Sequence, residues 1–256
     1  MIPRIAEQPA RPGAFRPALL LETVPWLMLA AALRVVIFHR GLAAFPAEIA
    51  ANAAIFIAFL LCARRMIEFS DGTTQLAHLS LYEQLVLAYR ILHPLGLLIV
   101  GLYIGLSFVG ARTLAPSFYF GFDGIAFDQY SNLGRLWSAF VATVILLMVV
   151  RHERGQRPSM LGTLREFAAR WKYLLAGIVV AALFQVLLSP GQGLARWWIY
   201  LLWTGTAAPD VLKAAVYFTF IFGFATLRLW GTVAVLIFAL RESHRRSVPA
   251  PAAGKS

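Results

Sequence analysis

Leu136-Trp-Ser-Ala-Phe-Val-Ala-Thr-Val-Ile-Leu-Leu-Met-Val-Val150 runs without a charge into Arg151-His152-Glu153-Arg154, and this junction decides the fold class. An apolar stretch that stops at a basic cluster is the pattern of a helix crossing a bilayer and ending at its headgroups. Comparable runs occupy Ala18–Phe38, Pro46–Cys62, Ile91–Val109 and Tyr173–Leu188, and a longer one spans Val211–Leu240; the second ends at Arg64 and Arg65, which are expected to snorkel to the cytoplasmic headgroups. A hydrocarbon core of roughly 30 Å takes about 20 helical residues at about 1.5 Å each, which these runs approach. The expectation is an all-α, polytopic membrane protein of about six transmembrane helices, with residues 17–246 forming one transmembrane domain. Residues 1–16 and 247–256 read as cytoplasmic tails. The first run is too long for the apolar region of a cleaved signal, so it reads as a retained span.

Composition agrees. Hydrophobic residues make up 60% of the chain and charged residues 14%, with a mean hydropathy of +0.71. A water-soluble domain of 256 residues cannot hide that much apolar surface behind so few charges. The net charge of +11 raises nucleic acid as a partner, so the placement of the charges decides. Of 23 Lys and Arg, 16 fall in Met1–Arg16, Arg64–Arg90, Arg151–Lys172 and Arg241–Ser256. This alternation follows the positive-inside rule, with both termini in the cytoplasm of a bacterial inner membrane. It directs the basic surface at anionic lipid rather than DNA.

Few groups are suited to chemistry. Cys62 is the only cysteine, which excludes an intrachain disulfide. None of the five histidines stands three or four residues from another, so no helical haem or zinc pair is present. No nucleotide-binding or nucleophile motif occurs, so neither a metal nor a cofactor is expected and any ATPase must be a separate subunit. A weaker reading as a lipid-acting enzyme rests on His93, Asp123 and Asp128.

Arg228 lies inside the last apolar run, 13 residues before Arg241, or about 20 Å by helical rise. At membrane depth an arginine costs about 2.5–3.5 kcal/mol on insertion scales. It either meets an anionic ligand or a buried partner such as Glu22 or Glu48, or snorkels to the headgroups. Val211–Leu240 exceeds the bilayer thickness, which favours a break near Gly223 over strong tilt. Leu133-Gly-Arg135-Leu136-Trp137 and Leu227-Arg228-Leu229-Trp230-Gly231 echo each other, as the halves of a repeated hairpin would.

Two further segments stand out. Leu76, Leu79, Glu83 and Arg90 belong to an amphipathic stretch with Thr73 or Thr74 as its cap; it is either a surface helix docking a partner or an inward extension of the third span. Ser189-Pro190-Gly191-Gln192-Gly193 reads as a stop for the fifth span. Trp197, Trp198 and Trp203 then lie in an interfacial or re-entrant element before the last span. Gly101 and Gly105 form a small-xxx-small packing face.

This layout resembles the six-span exporter permeases that work with ATPase subunits, including those for polysaccharides. The resemblance implies a cytoplasmic helix that contacts the ATPase and short re-entrant helices before the sixth span, the position taken by Ala195–Trp203. The Pro-rich Met1–Arg16 departs from the amphipathic N-terminal helix of that layout. Two functions are expected: a subunit of a transport system for lipid-linked or anionic material, or a non-catalytic scaffold of a larger membrane complex.

Overall fold

The computed structural model describes residues 21–38, 44–71, 79–108, 125–127 and 131–247. All regular structure in these residues is helical: α1 (Val24–Phe38), α2 (Ala44–Asp71), α3 (Leu81–Phe108), α4 (Asn132–Glu153), α5 (Met160–Ala169), α6 (Trp171–Gly205) and α7 (Asp210–Ser247). Four of them, α2, α4, α6 and α7, are long and apolar enough to cross a membrane. The chain is an integral membrane protein built on these helices. The terminal tails, Leu76, Asp123 and Asp128 lie outside the described residues.

Local sequence sets the helix ends. Ser80 and Glu83 form a reciprocal capping box at the start of α3: the Ser80 amide and hydroxyl each donate to Glu83 Oε2 at 2.8 Å. Ser131 caps α4 by accepting from the Gly134 amide at 3.0 Å. The helix α4 ends in a Schellman turn, with Gln156 N donating to Arg151 O at 2.9 Å and Gly155 at φ 71°. Between α6 and α7, Lys213 Nζ reaches back 3.4 Å to the Trp203 carbonyl, one of the last of α6.

The core is built around α2 and α4. From Ala54 to Ala63 and from Val141 to Val150 almost every side chain is buried, because neighbours enclose these two helices on several sides. The helix α1 packs against α2 and α7, α6 against α4 and α7, and α3 lies at the periphery. Small residues set the closest approaches. A Cβ at Gly177 would meet that of Ala239 at 2.5 Å, and one at Gly231 would overlap the Phe184 ring. Gly101 and Gly105, by contrast, have no atom of the described residues near their Cβ positions.

Four other expectations are corrected. Pro190 does not end the helix, since α6 runs through it over the 35 residues from Trp171 to Gly205. In an apolar medium a break exposes backbone groups that water cannot satisfy, so one missing N–H costs less than a lost helix end. The Trp segment is therefore the last part of α6 and not a re-entrant element. For the same reason α7 runs unbroken past Gly223 for 38 residues, about 57 Å. From Leu81 the amphipathic segment is continuous with α3 and capped at Ser80, while Thr73 and Thr74 lie outside the described residues. Finally, Arg64 and Arg65 do not snorkel. Both are buried; Arg64 pairs with Glu153 at 2.8 Å, and Arg65 pairs with Glu22 at 2.6 Å and Glu68 at 2.7 Å.

Candidate functional site: an arginine and aromatic cavity with a polar seam

A cavity of about 450 Å³ opens at the end of the bundle away from the Arg65–Glu22 pair. Its polar lining comes from Arg34, Gln192 and Arg196, and its aromatic wall from Tyr200, Trp203, Tyr217 and Phe220. The long α6–α7 hairpin supplies most of this wall. Trp203 meets Tyr217 edge-on at 6.2 Å, and Tyr217 stacks on Phe220 at 6.3 Å. From α1, the Arg34 guanidinium sits 4.1 Å over the Phe127 ring, which holds a cation at an apolar wall.

From this cavity a line of polar residues runs into the core along α6. Gln185, Ser189, Gln192 and Arg196 are spaced by four, three and four residues, which puts them on one helix face over about 16 Å. Two buried arginines on neighbouring helices donate to it. Arg228 Nη2 on α7 reaches Gln192 Oε1 at 2.6 Å, and Arg135 Nη2 on α4 reaches Ser189 Oγ at 2.9 Å. The Ser189 hydroxyl in turn donates to the Gln185 carbonyl at 3.0 Å, securing the turn that enters Pro190.

One helical turn deeper, three helices place polar groups at the same depth. Ser138 follows Arg135 by three residues on α4, Thr232 follows Arg228 by four on α7, and Gln185 precedes Ser189 by four on the antiparallel α6. The neighbouring contact of Gly231 with Phe184 fixes that level independently. All three residues are buried, and Ser138 Oγ, Thr232 Oγ1 and both amide atoms of Gln185 have no hydrogen-bond partner among the described residues. A buried polar group left so costs about 1–3 kcal/mol. These three residues put hydroxyl and amide groups inside an otherwise apolar part of the bundle.

The residues singled out in the sequence separate into several places. Arg228 is wholly buried and does not snorkel. Glu22 holds Arg65 through bonds of 2.6 and 2.9 Å, whereas Arg228 donates to Gln192. Glu48 lies near the start of α2, partly exposed. Trp197 and Trp198 face outward, half exposed, with ring centroids 5.2 Å apart, whereas Trp203 turns into the cavity. Leu79, Glu83 and Arg90 line a second cavity of about 390 Å³ at the opposite end, with Arg64, His152 and Glu153. Among the described residues no group of three potential metal ligands occurs.

Sequence reading missed the seam, although the spacing of Gln185, Ser189, Gln192 and Arg196 was visible. Taking Pro190 as a stop cut that face in two. The paired sequences around Arg135 and Arg228 each donate to the same stripe of α6. Comparison with known proteins finds no matching family model, curated protein or solved structure.

Proposed function

We propose that this chain is the membrane subunit of a transport system handling lipid-linked or anionic material, working from the inner membrane with a separate ATPase. The observation that carries the reading is the polar seam, which leads from an arginine and aromatic cavity to Gln185 in the middle of an apolar bundle. Arginines at one mouth attract an anionic headgroup, aromatic walls accommodate an apolar tail, and the inner layer offers hydroxyl and amide groups to a charge that has left water. Intramembrane arginines with polar neighbours on facing helices are the groups from which membrane proteins build substrate paths.

The test is translocation of a fluorescent polyprenyl phosphate in membrane vesicles from cells expressing the chain, so that partner subunits remain in place. Arg228→Ala should abolish accumulation, and Arg228→Lys should fall well below wild type because an ammonium cannot reproduce the planar fork. Wild-type accumulation in both variants refutes the reading.

A second reading, a scaffold of a larger membrane complex, is favoured by α3. Gly96, Gly101 and Gly105 there present open backbone, with Leu97, Val100 and Ile104 exposed around them. Stoichiometric co-purification with a large membrane enzyme and no ATPase would favour that reading.

A further inference from the structure

At the end of the bundle opposite the arginine and aromatic cavity, two cavities of about 390 and 580 Å³ share Arg90, His152 and Gly155 as lining. The first also includes Tyr82, Glu83 and the Arg64–Glu153 pair, and the second includes Gln156, Arg157 and Pro158. The Schellman turn at Gly155 builds the boundary between them, because its left-handed backbone turns the chain sharply after His152.

The charges here do not balance. Both acids already have partners: Glu153 accepts from Arg64 Nε at 2.8 Å, and Glu83 accepts from Ser80 in the capping box. The side chains of Arg90, Arg157 and His152 make no ion pair among the described residues. Arg64 neutralises Glu153, and Glu83 keeps its charge within the capping box, so Arg64, Arg90 and Arg157 stand against two carboxylates around a shared, open space that His152 also lines. An apolar surface also leads away from it. On α3, Leu81, Leu85 and Tyr89 are exposed at successive turns, and Leu97, Val100 and Ile104 carry the exposed strip onward.

We propose that these adjoining cavities form a binding site for an anionic phospholipid, its phosphate held between Arg90 and Arg157 and its acyl chains laid along the exposed strip of α3. Charge complementarity favours the anion, and the exposed apolar strip, interrupted only by His93, favours a lipid over a free ion. Basic pockets between helices on the anionic leaflet are where such headgroups bind. The site uses none of the residues of the arginine and aromatic cavity, so it is independent of the transported material.

The test is native mass spectrometry of the full chain in mild detergent with equal phosphatidylglycerol and phosphatidylcholine. Wild type should retain phosphatidylglycerol selectively. Each of Arg90→Ala and Arg157→Ala should reduce that retention about fivefold, and the pair about 25-fold. Arg90→Lys and Arg157→Lys should retain most of it, which separates charge from folding. Arg165→Ala, exposed on α5 and outside all three cavities, should leave it unchanged. Equal retention of the two lipids by wild type, or undiminished selectivity in the double alanine variant, overturns the proposal. Displacement of the lipid by millimolar inorganic phosphate overturns it too, assigning the site to free phosphate.

Discussion

Replacing Arg65 by Met should destabilise the bundle more than any other single removal of a charge at its basic end. Arg65 is buried and holds two carboxylates: Glu22 through paired bonds of 2.6 and 2.9 Å, and Glu68 through one of 2.7 Å. Glu22 precedes α1, whereas Arg65 and Glu68 belong to α2, so the network fastens the first two helices together. Breaking a buried pair from one side costs about 3–5 kcal/mol, because the abandoned charges stay desolvated. For a chain of this size that is roughly 6–20 °C in melting temperature. Glu22→Gln should cost less, since Arg65 keeps Glu68 and the amide oxygen still accepts a hydrogen bond. The double variant Glu22→Gln/Arg65→Met should melt above the sum of the two losses, with a coupling of about 0.5–3 kcal/mol. Thermal unfolding in one detergent at one scan rate reads all four corners of the cycle. An Arg65→Met variant melting within about 2 °C of wild type would refute the argument.

Other predictions follow from the contacts. Gly177→Ala should cost about 1–3 kcal/mol by pushing α6 from α7, and Ala239→Gly should restore it, as thermal unfolding would read. Gly155→Ala should cost about 1–2 kcal/mol because its φ of 71° is unfavourable for a side chain, and protease cleavage after α4 should rise. Gln185→Leu removes an unpartnered buried amide, so it should raise the melting temperature while lowering vesicle transport; unchanged transport would confine the seam to structure. The Ser80 bonds hold the Glu83 carboxyl below the usual carboxylate range, so the capping box favours the folded state above that range. Its contribution should fade as pH drops through the lowered pKa, seen as faster amide exchange in the first turn of α3, and Glu83→Gln should remove that pH dependence.

The positions where sequence reading failed share a cause. Pro190 and Gly223 punctuate helices in water, where an exposed helix end is satisfied by solvent. Within an apolar environment the lost backbone bonds outweigh a local preference, so α6 and α7 run through both. Arg64 and Arg65 were expected to reach headgroups because they sit at a span end, but partners on Glu22, Glu68 and Glu153, distant in sequence except for Glu68, draw them inward. The capping box at Ser80 and Glu83 was legible as an S-x-x-E pattern and was passed over for the threonines before it.

Composition and periodicity alone determined that this chain is helical and belongs in lipid, because apolar length and charge placement act locally and survive any packing. They also marked Arg228 as exceptional, since the cost of an arginine at depth does not depend on its neighbours. Only the tertiary structure decided what that arginine meets. Gln192 and Arg228 are 36 residues apart, and Arg135 joins Ser189 across 54. Contacts over such separations depend on which helix faces turn toward each other, and that is settled by close approaches such as Gly177 on Ala239.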